Sequence, residues 1–290
     1  MFTFAGKLHI NNFSCIMANV IKIKKGLDIN LKGKASDVLL NGGKSDSYAI
    51  VPDYYNGIVP KVVAKVGEKV KAGSVLMIDK NRPEIKFVSP VSGEVTAVNR
   101  GEKRKVLSIV VKPDAQIEYE EFGKKNVASL QGAEVKEVLL NAGMWPFIKQ
   151  RPYDIVAAPL DTPRDIFVSA FYSAPLAPNF DFIVKGQEAD FQTGLNALAK
   201  LTNGKVYVGV RSGSVVSGMK GVEIVEVEGP HPAANVGVQI NHIKPVNKGE
   251  VVWTVNPADV IVIGRLFNKG RRFQPYGCYY RFRDYRERLR

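Results

Sequence analysis

RPEIKFVSPVSGEVTAVNRG, residues 82–101, is a set of short apolar runs punctuated by Ser89-Pro90 and by glycines at 93 and 101. Outward from it, FVSPVSGEVTAVNRGEKRKVLSIVV (87–111) supplies strand-length segments carrying Val95, Val98, Leu107, Ile109 and Val111. Upstream, VAKVGEKVKAGSVLMIDK (63–80) spaces Gly67, Val70, Gly73 and Leu76 about three residues apart in the same manner. β-branched runs separated by glycine turns at near-regular intervals predict a small all-β sandwich or barrel built from two related halves over about 48–112.

That pattern resembles the barrel-sandwich of lipoyl and biotinyl carrier domains. Such a domain places one modifiable lysine at a hairpin tip, a fixed distance before the Ser-Pro. Here Arg82 or Pro83 stands at that distance, and the nearest lysine, Lys80 beside Asp79, comes two residues too early. The scaffold is therefore expected without its covalent passenger.

At 290 residues the chain exceeds one ordinary core and fits two or three domains. It has no apolar run of eighteen residues; the longest, around Val260–Ile263, has strand length. MFTFAGKLHINNFSC at the start makes a poor signal peptide, which favours a cytoplasmic location. The formal charge of +13 is uneven. Residues 271–290 hold seven arginines and no lysine, as many arginines as the first 270 residues together, so that the body is only mildly basic. Such a body suits an anionic partner or a lipid-headgroup region as well as nucleic acid. Cys15 and Cys278, one near each end, define neither a disulfide framework nor a cysteine metal site.

The chain divides by pattern. Residues 1–16 read as a detachable mis-start extension, and MANVIKIKKGLDINLKGKA (17–35) opens the body with a short lysine-interleaved strand. The barrel follows, closing a first unit at 17–114. A charged, aperiodic linker leads to a helix near 132–142, with Val135, Val138 and Leu139 on one face and Gly143 as its stop. RDIFVSAFY (164–172), QEADFQTGLNALAKLTNG (187–204) and KVYVGV (205–210) read as strand, helix and strand, hence a parallel pair with a right-handed crossover. Residues 115–217 are thus expected to form a Rossmann-like α/β domain. From 218 to 270 strands alternating with Pro/Gly turns predict a third, smaller β-rich domain, incomplete at its end, and 271–290 an aberrant Arg-rich tail.

No catalytic constellation emerges. Neither GxGxxG nor GxxxxGK[ST] occurs. RSGSVVSG (211–218) has amides that suit an anion but reads first as an ordinary loop. His231 and His242 lack a third ligand or a nucleophile elbow, so GPHPA (229–233) reads as a rigid turn that buries its histidine in a junction or presents it to a partner. Glu118, Glu120 and Glu121 read as a solvated face, and Trp145, Trp253, Phe171 and Tyr172 as core before ring platform. The expected chemistry is catalytic residues none, metal none and cofactor-binding residues unknown: a subunit or binding module.

IKIKKGLDINLKG, PEIKFVSPVSGEVTAVNRGEKRKVLSIVV, GKVYVGV, GPHPAANVGV and PVNKGEVVWTVNPADVIVIGRLF together resemble the A subunits of the sodium-translocating NADH:quinone reductases of bacterial membranes, from Met17 to about Gly270. The resemblance implies a peripheral subunit on the cytoplasmic face with no cofactor of its own, related to the flavoprotein arm of complex I. It implies docking on membrane subunits at the quinone end of a complex that uses NADH, flavins, iron–sulfur centres and ubiquinone or menaquinone, and exports sodium. It also implies a third domain of ubiquitin-like β-grasp type and a carrier-like barrel that serves as a docking scaffold. Family members start near Met17 and continue past 270, so 1–16 and 271–290 are expected to be a mis-start and a frameshift. Rival readings are the C-type subunit of a related ferredoxin:NAD complex, a true carrier module on an α/β enzyme, and a basic nucleic-acid-binding protein. The last lacks aromatic–basic interleaving in the body.

Overall fold

A computed structural model describes residues 19–29, 37–38 and 45–271. The expectations placed on 1–16, on 272–290 and on both cysteines lie outside the described residues.

The N-terminal strand β1 (Asn19–Lys22) leaves the barrel altogether: it pairs in parallel with a strand some two hundred residues later. The barrel itself is two facing sheets. One holds β2 (Tyr48–Ile50), β4 (Lys69–Val70), β7 (Gly93–Arg100) and β8 (Val106–Pro113) in the order β2-β8-β7-β4; the other holds β3 (Pro60–Val62), β5 (Val75–Asp79) and β6 (Lys86–Val88) in the order β3-β5-β6. Leu76, Met77, Phe87, Val95, Ile109 and Val111 fill the space between them. Gly93 has φ +157 at the start of β7, and a Cβ there would lie 1.9 Å from the carbonyl oxygen of Lys112. Close strand approach requires that glycine.

The second layer system begins with α1 (Gly132–Asn141), as its spacing predicts, and stops at Gly143 with φ +64. Glu134 accepts from the Gln131 amide at 2.7 Å, closing the first turn. The strands β9 (Ile148–Arg151), β10 (Ile155–Val156), β11 (Ile166–Ser169), β12 (Val206–Val210), β13 (Glu223–Glu228) and β14 (Val252–Val255) join β1 in one seven-stranded sheet, ordered β1-β13-β12-β11-β14-β9-β10. β1, β13, β12, β11 and β14 run parallel, β9 pairs antiparallel to β14, and β10 pairs antiparallel to β9. All four residues of β11 are buried, as befits a parallel strand covered on both faces. α2 (Phe180–Val184) and α3 (Glu188–Ala199) precede β12, α4 (Val236–Ile243) follows β13, and α5 (Pro257–Lys269) follows β14.

Three expectations are corrected here. The smaller β-rich domain at 218–270, β-grasp or otherwise, does not exist as a unit: β13 and β14 lie inside the seven-stranded sheet, and the helices α4 and α5 lie in the same segment. The run Val260–Ile263 is the middle of α5, not a strand. Asn256 caps the helix by accepting from Ala258, Pro257 sits at its first turn, and Gly270 closes it with φ +71. Because α5 is buried on nearly every side, its β-branched residues reflect packing rather than strand preference. In α4, Val236, Ile240 and Ile243 recur at four and seven residues, a helical stripe that covers Phe167 and Val252. The division between a unit at 17–114 and the sheet is also redrawn, since β1 belongs to the sheet.

α3 and α5 cross at two glycines. A Cβ on Gly264 would lie 1.7 Å from the carbonyl oxygen of Asp190, and one on Gly194 would lie 2.1 Å from that of Val260. Next to the crossing, buried Arg265 pairs with Asp190 at 3.2 Å and also bonds Gln187. At the opposite edge of the sheet, Arg164 ties down the segment after α4 through the carbonyls of Lys244 and Pro245 and the carboxylate of Glu250. Buried Asp165 receives Arg164 at 2.8 Å, Lys244 at 2.9 Å and the amide of Lys205 at 3.0 Å. Burial would raise the Asp165 carboxyl, but these donors together hold it below its ordinary value.

Gly264→Ala forces backbone apart and is expected to cost about 3 kcal/mol, a fall of several degrees in Tm; Gly237→Ala in α4, with no atom within 4 Å of the added methyl, is expected to be neutral or mildly stabilising. For Asp165 the folded-state value is depressed, so its contribution is present above the unfolded pKa and is lost as pH falls through the folded one. Urea denaturation should therefore show Asp165→Asn furthest below the parent near neutrality, with the gap closing below about pH 4.

Candidate functional site

The hairpin between β5 and β6 carries the position where a carrier domain has its lysine. Arg82, one of the two residues at that distance, is folded back onto the molecule. Its Nε donates to Asp79 at 2.7 Å, one terminal nitrogen donates to the carbonyl of Gly57 at 2.8 Å, and the other to the carbonyl of Val156 at 3.1 Å. Asp79 is fully buried, and its second oxygen accepts the amides of Val59 and Asn81. A planar fork can meet a carboxylate and two carbonyls at once, which an ammonium on a flexible stem cannot do with the same geometry. Val156 lies on β10, so the fork joins barrel to sheet. Lys80 is exposed while its amide bonds Val59.

Around this joint the two layer systems are fused. A Cβ on Gly143 would lie 2.5 Å from Val88 of β6, and the amide of Val156 donates to Asn56 at 3.0 Å. Lys149 of β9 lies 5.9 Å from the Tyr55 ring, and burial lowers its ammonium pKa against the opposing pull of Asp154 and Asp259. One connected group of buried side chains runs from Leu76 and Phe87 through Trp145 to Phe191 and Phe267. Residues 118–125 form a strap. Ala72 exchanges backbone bonds with Glu118 and Glu120 at 2.9 Å, and farther on Phe122 and Lys125 donate to the carbonyls of Gly270 and Phe267. The Glu118 side chain reaches Lys71, that of Glu120 accepts from Ser74, and the backbone of Glu121 forms an isolated β-bridge with Arg271.

The five parallel strands end at a common edge, where two separate sequence motifs meet. Ile23 donates to Glu228, Leu27 donates to the carbonyl of His231 at 2.9 Å, and the amide of His231 donates to Asp28 at 2.8 Å. A Cβ on Gly26 would lie 2.2 Å from the His231 carbonyl. IKKGLD and GPHPA are thus one structure. Ser173, just past β11, accepts from the amide of Ala234 at 3.1 Å and lies 3.0 Å from Nδ1 of His231. With its oxygen engaged by backbone, Ser173 fastens the turn. Lys22 pairs with Glu228 at 3.4 Å, while Lys24 and Lys25 are exposed.

The remaining candidates disperse. In 211–218, Ser214 and the amide of Val215 bond a carboxylate oxygen of Asp181, so the loop binds an anion of its own chain. His242 lies on α4, 2.8 Å from its own helix carbonyl at Val238. Trp145 and Trp253 meet edge to face in the core with centroids 5.4 Å apart. Phe171 lies under the Arg211 guanidinium, and Tyr172 donates to Asn256 at 3.2 Å. Among the described residues, no group of three His, Cys, Asp or Glu side chains could hold a metal ion. The role of Arg82 was only half visible beforehand: the sequence shows a lysine missing but not the carbonyls that require its replacement.

Fold and joint define a barrel-sandwich hybrid that shares one core with a mixed α/β sheet. Comparison with known proteins makes this specific. The NqrA N-terminal barrel-sandwich hybrid domain matches residues 21–114, and the NqrA second alpha/beta domain matches 130–272. The chain belongs to the NqrA family. Curated relatives include the A subunit of the Na(+)-translocating NADH-quinone reductase of Hahella chejuensis, 40% identical over 258 residues, and those of Neisseria meningitidis serogroup A and Photorhabdus laumondii, each 38% identical. Each alignment covers 87% of this chain, and the chain spans 57–58% of the length of these relatives.

Arg82→Ala leaves buried Asp79 without its cation and is expected to cost about 3 kcal/mol. Arg82→Lys should recover less than half of that. Intact mass should equal the sequence mass, with no acyl adduct on Lys80; an adduct there would show the hairpin to be a working carrier tip.

Proposed function

We propose that this chain acts as the NqrA component of a sodium-translocating NADH:quinone reductase. In this reading it takes part in electron transfer from NADH to ubiquinone or menaquinone, coupled to sodium export, on the quinone-reducing side. The observation that carries the reading is the succession of two NqrA domains along one chain whose relatives bear that name. The fused barrel supports a docking role, because a tip latched to the sheet by Arg82 is not free to travel between active centres. The chain binds no cofactor of its own in this proposal; NADH, flavins, iron–sulfur centres and quinone belong to the assembled complex.

Its partners would be the other subunits, and its place the cytoplasmic face of the membrane, held peripherally. No helix among the described residues is long and apolar enough to cross a bilayer. Exposed Lys24 and Lys25 offer an electrostatic contribution to docking that salt would weaken. We also read the parallel part of the α/β domain, with helices on both faces and a change of winding direction between β11 and β14, as Rossmann-like.

The test expresses this chain in a strain lacking its own NqrA. Membranes should regain sodium-dependent quinone reduction and retain the chain through a low-salt wash, while the purified chain alone should show no NADH oxidation. Full quinone reduction without NqrA, or NADH turnover by the isolated chain, would overturn the assignment.

A further inference from the structure

Beside the strap, α3 and the C-terminal end of α5 border a cleft of about 340 Å³, within the range of small-molecule sites. Its polar lining comes from Lys125, Asn126, Thr193, Asn196, Lys200 and Asn268, and no carboxylate lines it.

Hydrogen bonding within the protein fixes what each of these side chains can still offer. Asn126 uses its oxygen to accept from Ala128 at 3.0 Å, and Asn196 uses its oxygen to accept from Gln192 at 2.9 Å. Gln192 is itself clamped, exchanging bonds with both the amide and the carbonyl of Lys220. Both asparagines are therefore left with NH2 groups to donate. Lys125 and Lys200 enter no ion pair among the described residues. They are not needed at the neighbouring helix ends either. Leu266 and Phe267 carbonyls accept from Gly270 and Lys125 amides, and Ala197 and Leu198 carbonyls from Lys200 and Leu201 amides. Two side chains supply the opposite polarity. Thr193 donates its hydrogen to Ala189, and Asn268 its amide to Asp190 at 2.8 Å, which leaves an acceptor oxygen on each.

Two cations, two amide donors and two acceptors complement an anion that also carries hydroxyl hydrogens. We propose that this cleft binds a small hydroxylated oxyanion, a phosphate monoester or a hydroxycarboxylate, at a site separate from the barrel joint and from the carboxyl edge of the sheet. The lysines take the charge, the asparagine NH2 groups orient the oxygens, and Thr193 and Asn268 receive the hydroxyl.

Titration calorimetry on the full chain tests this at about 0.01 M salt, where screening is weak. The probes are inorganic phosphate, glycerol 3-phosphate, citrate and, as an uncharged control, glycerol. Saturable one-to-one binding of at least one of the two hydroxylated anions, tighter than that of inorganic phosphate and absent with glycerol, is the expected result. Whether glycerol 3-phosphate or citrate binds more tightly decides between the phosphate and carboxylate classes. Lys125→Gln/Lys200→Gln should weaken binding tenfold or more, and Asn196→Asp should do the same by turning a donor into an anion. Lys61→Gln/Lys65→Gln, exposed on the barrel and outside the cleft lining, should leave affinity unchanged. Absence of saturable binding, equal affinity in the cleft variants, or the same loss from the barrel pair would each overturn the site. Hydroxylated anions binding no tighter than phosphate would overturn the role given to Thr193 and Asn268.

Discussion

A three-way grip by one guanidinium sets the character of the molecule. Arg82 leaves a hairpin of the barrel, neutralises a carboxylate buried beneath that hairpin, and ends on carbonyl oxygens from two places, one of them a strand of the other domain. Buried Asp79 requires a cation, and two carbonyls at a domain joint require donors. A single side chain satisfies all three. The barrel consequently shares its core with the sheet, and Trp145 and Gly143 can press against β6 without any linker freedom between them.

The same logic of distant closure holds the sheet's far edge. β1 pairs with β13, and the residues after β1 bond the turn after β13, so the two ends of the described chain are drawn into one domain. Gly26 makes the contact possible by admitting a carbonyl where a side chain would stand. The strap works similarly between Ala72 of the barrel and the last turn of α5. What reads as a charged linker is a bonded element, because its backbone groups pair with the barrel and with the end of α5.

In the proposed docking role this rigidity has a plain consequence. Surfaces contributed by barrel, strap and sheet keep fixed relative positions, so a partner can be bound across more than one of them without paying for domain ordering. The separate donor-lined cleft on the strap and α3 sits on that same fixed frame, and its polarity follows from how the surrounding amides are already committed.

The sequence by itself determined the elements whose signals are local. Alternating β-branched runs and turn glycines define the barrel, and helical spacing defines α1 and α3. It also held, unread, the Asn-Pro start and Gly stop of α5 and the four-residue stripe of α4; the valine and isoleucine content there outweighed the capping signals. Only the tertiary structure decided that 218–270 completes the sheet instead of forming a domain, that β1 abandons its neighbours, and that Arg82, Asp79, Gly57 and Val156 converge. Parallel pairing connects β1 to a strand some two hundred positions away through backbone groups that every residue shares, so no local pattern encodes the partner. Which carbonyls a guanidinium meets is settled by packing alone.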